Sequence, residues 1–134
     1  MEEIIDPARE IIDPHHHMWR SKVVIGEIEI PQYILEDLWE DTQSGHNIVK
    51  TVFMECRAEY LTDGPEHLKV VGETEFVAAA AKASRNQGKA EIAGIISHAD
   101  LTQYESIQYE VLSAHETAGL GLFRANLMAM DRPI

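Results

Sequence analysis

The feature that most constrains this chain is its alternation of short, β-branched apolar runs with segments of helical period. The runs that begin at Ile11, at Asn47 (NIVKTVFMECR, 47–57) and at Glu91 (EIAGIIS, 91–97) are almost continuously apolar. That is the pattern of parallel strands covered on both faces. Between them the period changes. Ile34, Leu35, Leu38 and Trp39 recur at helical spacing, Pro31 suits a first helical position and Gly45 ends the segment, which predicts a helix over 31–44. Glu73, Thr74 and Glu75 open a second helix through EFVAAAAKAS, with Gly88 as its stop. Tyr104, Ile107, Val111 and Ala114 form one stripe of a third helix over 103–118, and LGLFRANLMAM (120–130) reads as a fourth strand. The order β-α-β-α-β-α-β implies a parallel sheet with helices outside.

Smaller features fit around this frame. KVVIGEIEI (22–30) alternates in part and contains Gly26, which suits a small hairpin or an extended excursion. The loop over 58–72 carries the turn signal DGP and is long for a strand-to-helix connection. The tetrapeptide IIDP occurs at 4–7 and 11–14, and only the second copy leads into histidines. We read residues 1–10 as a leader.

The second copy continues as IIDPHHHMW (11–19). Side chains on a strand alternate faces, so His15 and His17 point one way and His16 the other. Two imidazoles on one face can reach one metal ion, and Asp13 falls on that face one pleat earlier by the same count. An embedded run of three is unlike a terminal tag. The spacing alone fits a metal site and a structural pair equally. Polar residues also collect after the other strands: Glu55 and Arg57, His98, and Arg124. Ligand sites of parallel α/β proteins lie at that edge of the sheet.

The chain has 134 residues, enough for one modest domain. It carries 11 Lys and Arg against 23 Asp and Glu, a net charge of −12, which argues against nucleic acid or an anionic membrane as partner. Its single cysteine, Cys56, rules out an internal disulfide within the chain and suits a reducing compartment. No apolar run approaches the length of a membrane span, and the acidic start is unlike a signal peptide, so a cytoplasmic location is expected. Phosphate loops, zinc-ribbon cysteines and basic aromatic patches are missing from the sequence.

IIDPHHHMW, SGHNIVKTVFMECRAEY (44–60), DGPEHLKVVGETEFVAA (63–79) and IAGIISHADL (92–101), in this order, resemble the amidohydrolase-related family of metal-dependent hydrolases. The resemblance covers about residues 11–124 and breaks at about Ala125, leaving 125–134 as a divergent end. It implies a TIM-barrel fold and activity on small carboxylates, lactones or amides, by metal-assisted attack of water or by related decarboxylation. It implies that His15 and His17 form the first-strand metal pair, for a divalent ion such as zinc. It further implies that the loop after the second strand borders a small-molecule substrate and that the remaining ligands come from later strands. A (β/α)8 barrel takes about 250 residues. The expectation is therefore the N-terminal half of such a barrel, incomplete, as a truncated or frameshifted reading frame would give. Such a half alone would bind zinc weakly or not at all and be inactive; the alternative is a non-catalytic half-barrel remnant whose exposed sheet edges favour a homo-oligomer or pairing with another chain.

Other residues keep two readings. Glu55 and Arg57 form either a substrate clamp, with Arg57 on a carboxylate, or a structural ion pair. His98 contacts substrate or bonds a loop, and Arg124 could bind an anion. Trp19 caps the pocket or packs. Asp13 suits the strand end, Glu73 and Glu75 suit a helix start, and Cys56 suits a small buried apolar position. His46, His67 and His115 suit surface or packing positions.

Overall fold

The computed structural model describes residues 3–128. In chain order the elements are β1 (Glu10–His16), β2 (Val23–Ile25), β3 (Ile28–Ile30), α1 (Leu35–Thr42), β4 (Asn47–Met54), α2 (Val71–Ser84), β5 (Glu91–His98), α3 (Glu105–Ala118) and β6 (Phe123–Leu127). A 3-10 turn at Glu66–Leu68 interrupts the loop before α2. β1, β4, β5 and β6 form one parallel sheet in that order, and β2 and β3 form a separate antiparallel hairpin. The chain is thus α/β, with sheet order following chain order. The alternation predicted all four main strands and all three helices.

Boundaries moved for identifiable reasons. α1 starts at Leu35, four residues later than predicted, because Tyr33 is held in an antiparallel bridge with Trp19 by two backbone hydrogen bonds of 2.8 and 2.9 Å. Ile34 is still extended, and the Asp37 carboxylate accepts from its N–H at 2.8 Å. α2 starts at Val71 rather than at Glu73. β6 starts at Phe123, after a turn in which Leu120 and Gly121 both take positive φ. The hairpin expected over 22–30 forms, with Gly26 at φ 61° in its tight turn. The predicted strand end at 129–130 and most of the divergent end at 125–134 lie outside the described residues.

The core sits between one face of the sheet and the helices. Met18, Leu35, Leu38, Phe53, Val77, Ala78, Ala81, Ile92 and Ile95 make one buried cluster. Burying Phe53 completely contributes about 3 kcal/mol at most. α2 packs on β5, and α3 packs on α2. The Thr74–Ser97–His115 cluster at the α2–α3–β5 junction is polar and hydrogen-bonded. The His115 Nε2–H donates to the His98 carbonyl at 2.9 Å, which makes Nδ1 the acceptor for the Thr74 hydroxyl at 2.8 Å. Thr74 Oγ then accepts from the Ser97 hydroxyl at 2.7 Å. His115 is completely buried, and burial lowers its pKa. It is a packing residue. Among the described residues no helix is long and apolar enough to cross a membrane.

Candidate functional site

The register of β1 on β4 decides which side chains meet. Asp13 pairs with Thr51 and His16 with Phe53, so β1 advances three residues while β4 advances two. The bulge at Pro14–His15 lets His16 share the face of Asp13, Thr51 and Phe53. His16 is buried there, edge-on to the Phe53 ring at 5.7 Å, with Nε2 3.1 Å from the Thr51 hydroxyl. Burial pushes its pKa down to about 4. His15 and His17 turn the other way, as strand alternation requires. Asp13 borders the same recess as these two rings but does not form a three-residue ligand group with them. The bulge puts it on the opposite face, and its carboxylate accepts instead from the His15 backbone N–H at 3.1 Å.

The two rings meet. His15 Nε2 lies 3.1 Å from His17 Nε2, with ring centroids 4.9 Å apart and planes nearly perpendicular. His17 Nδ1 lies 2.8 Å from the Met54 carbonyl, at the last residue of β4. A carbonyl only accepts, so this bond fixes the proton on Nδ1 and leaves the Nε2 lone pair of His17 aimed at His15. A backbone partner on the far nitrogen is how metal-binding imidazoles are oriented. Two nitrogens each about 2.0–2.1 Å from one ion stand roughly 2.9–3.4 Å apart for angles between square and tetrahedral, so the pair fits two adjacent coordination positions. Among the described residues no group of three or more His, Cys, Asp or Glu is placed to hold a metal ion.

The pair lines a recess of about 340 Å³ along the free edge of β1. Asp13, His16, Trp19, Tyr33, Leu38, Asp41, Thr42 and Ile48 share its wall, with Trp19 5.6 Å from the His17 ring. The Tyr33 hydroxyl donates to Asp41 Oδ2 at 2.5 Å, and burial together with that carboxylate raises the phenol pKa. Sequence reasoning missed Tyr33 and Asp41. The Trp19–Tyr33 bridge that brings them here is a tertiary pairing with no periodic signal.

The other candidate residues stand elsewhere. His98 ends β5 and lines a second cavity, of about 310 Å³, with His67, Asp100 and Gln103. Its Nδ1 is buried with no protein partner among the described residues. Glu55 and Arg57 lie beyond the end of β4. Arg57 has φ 62°, so the strand-like alternation expected to align the two does not hold. Arg124 lies near the start of β6, not after its end, and its guanidinium donates to the carbonyls of Gly121 and Phe123 at 2.6 and 3.2 Å. The turn at 119–122 delays the strand and leaves Arg124 away from the mouth.

Glu73 holds the long loop. It sits in the first turn of α2, 2% exposed, and its Oε2 accepts from the N–H of Cys56 at 3.1 Å and of Ala58 at 2.6 Å. Burial raises its pKa to about 7, the two amide bonds opposing that shift. The Cys56 thiol donates to the Met18 carbonyl at 3.6 Å, and burial and the Glu73 charge push its pKa up to about 12. A thiol so disfavoured as thiolate packs and does not attack. No family model, curated protein or solved structure matches the chain.

Proposed function

We propose that this chain supplies the metal-gripping first strand and the mouth of a metal-dependent hydrolase of the amidohydrolase-related kind, its sheet being four consecutive strands of a (β/α)8 barrel. The observation that carries the reading is the 3.1 Å approach of His15 Nε2 to His17 Nε2, with His17 Nδ1 tied to Met54 at the C-terminal edge of a parallel sheet. The strand order supports the barrel, because a sheet whose spatial order follows chain order has no reversal of the doubly wound type. A bound divalent ion such as zinc would lower the pKa of its water and polarise a carbonyl. The chain's own residues hold His17 in one tautomer and leave a recess beside the pair for a small carboxylate, lactone or amide. Ligands beyond the described residues complete the coordination, since catalytic zinc takes three protein ligands.

Calorimetric titration with zinc tests this. The expected result is weak one-to-one binding, as two imidazoles allow, abolished by His15→Ala and by His17→Ala. Lactone hydrolysis by the zinc-loaded chain, lost in both variants, would extend it to catalysis. Zinc binding that survives both substitutions contradicts the reading.

A further inference from the structure

The helices lie on the face of the sheet that carries Phe53, Ile95 and Ser97, where the core cluster and the Thr74–Ser97 bond are found. Among the described residues the opposite, inner face has no such cover. By register it carries Ile12, Val52, Met54, Ile96 and Leu127, with the exposed Lys50 beside Ile12 as a charged exception. Ile12 is 59% exposed and Leu127 44%, although both sit within strands of the main sheet. Among the described residues the two edge strands, β1 and β6, each pair on one side only.

The chain exposes more surface than its mass requires. The chain exposes 8998 Å². A compact protein of 15.1 kDa exposes about 7,100 Å² by the usual mass scaling. The excess, roughly 1,900 Å², belongs to the chain as a whole, and the bare sheet face with its two edge strands is one part of it. Shape also selects the partner. All four strands run parallel, so a copy rotated about an axis along the strands presents its β1 parallel to the first copy's β6, and its β6 to the first copy's β1. Two such contacts close the ring at eight strands, the number at which side chains just fill a barrel interior. The same surface on each copy meets the other, as two-fold assembly requires.

We propose that the inner face is covered by a second copy of this chain, the two sheets joining edge to edge, β1 to β6 and β6 to β1, as a two-fold eight-stranded parallel barrel. The assembly stands whether or not His15 and His17 hold a metal. The net charge of −12 on each copy opposes it, so added salt strengthens it.

Light scattering after size exclusion, with hydrogen exchange, tests the proposal on the 134-residue chain. The expected species has about twice the 15.1 kDa chain mass, with dissociation reduced by salt. The amides of Glu10–His16 and Phe123–Leu127 should be protected together in that species and exchange faster on dilution to monomer. Ile12→Lys and Leu127→Lys change exposed side chains and should fold normally by circular dichroism, yet run as monomers. A wild-type monomer at all concentrations overturns the proposal. So does a dimer whose β1 and β6 amides gain no protection, which would mean stacking face to face. An open series of larger species overturns it as well.

Discussion

Replacing Glu73 by glutamine should stabilise the protein, although Glu73 makes two hydrogen bonds that pin the loop beyond β4. The carboxyl is 2% exposed, and its other oxygen, Oε1, has no protein partner among the described residues. A rise from the ordinary 4.5 to about 7 corresponds to roughly 3 kcal/mol against the ionised form, at about 1.4 kcal/mol per pH unit. The sign follows from proton counting. Between those two values the folded protein binds more protons at this site than the unfolded chain, so stability falls as pH rises through the window and stays low above it. Glutamine is neutral throughout, and its carbonyl can still accept from Cys56 and Ala58. The variant should therefore exceed the wild type by about 3 kcal/mol at pH 8 and match it near pH 4.5. Urea denaturation of both proteins at the two pH values reads the difference, and comparing variant with wild type cancels the titration of other groups. A glutamine variant that is less stable by the same margin at both pH values would refute the reasoning. The two amide bonds would then outweigh burial, leaving the carboxylate ionised at no net cost.

Other consequences are local. A Cβ added at Gly72 would fall 2.4 Å from the Glu59 carbonyl oxygen and 2.8 Å from the Leu61 nitrogen, both backbone atoms. Gly72→Ala should lower thermal stability, since overpacking of about 1–3 kcal/mol exceeds the helix-propensity gain of about 1 kcal/mol. Thr74→Val removes the hydroxyl between Ser97 and His115 and leaves the buried Nδ1 of His115 unpaired, a loss of about 1–3 kcal/mol readable by denaturation.

Much of the frame was legible because period 2 and period 3.6 are local properties of the chain. The EIAGIIS and EFVAAAAKAS segments became β5 and α2 with small shifts at their ends. The common face of His15 and His17 was legible for the same reason. The side of Asp13 was not, because one bulge between it and His16 reverses the count. Nor was the inward turn of Glu73. An acidic residue in a first helical turn ordinarily meets solvent, and only the return of Cys56 and Ala58 past α2 buries it. Arg124 was misplaced because a left-handed turn at Leu120 and Gly121 postponed the strand that carries it.

Zinc titration followed through the imidazole ¹⁵N resonances bears most directly on the ligand pair. The Nε2 signals of His15 and His17 should move together, while Nδ1 of His17 keeps its proton on the Met54 carbonyl and the other five rings stay unchanged. Movement of only one of the two rings, or of His46, His67 or His98 first, would contradict the account.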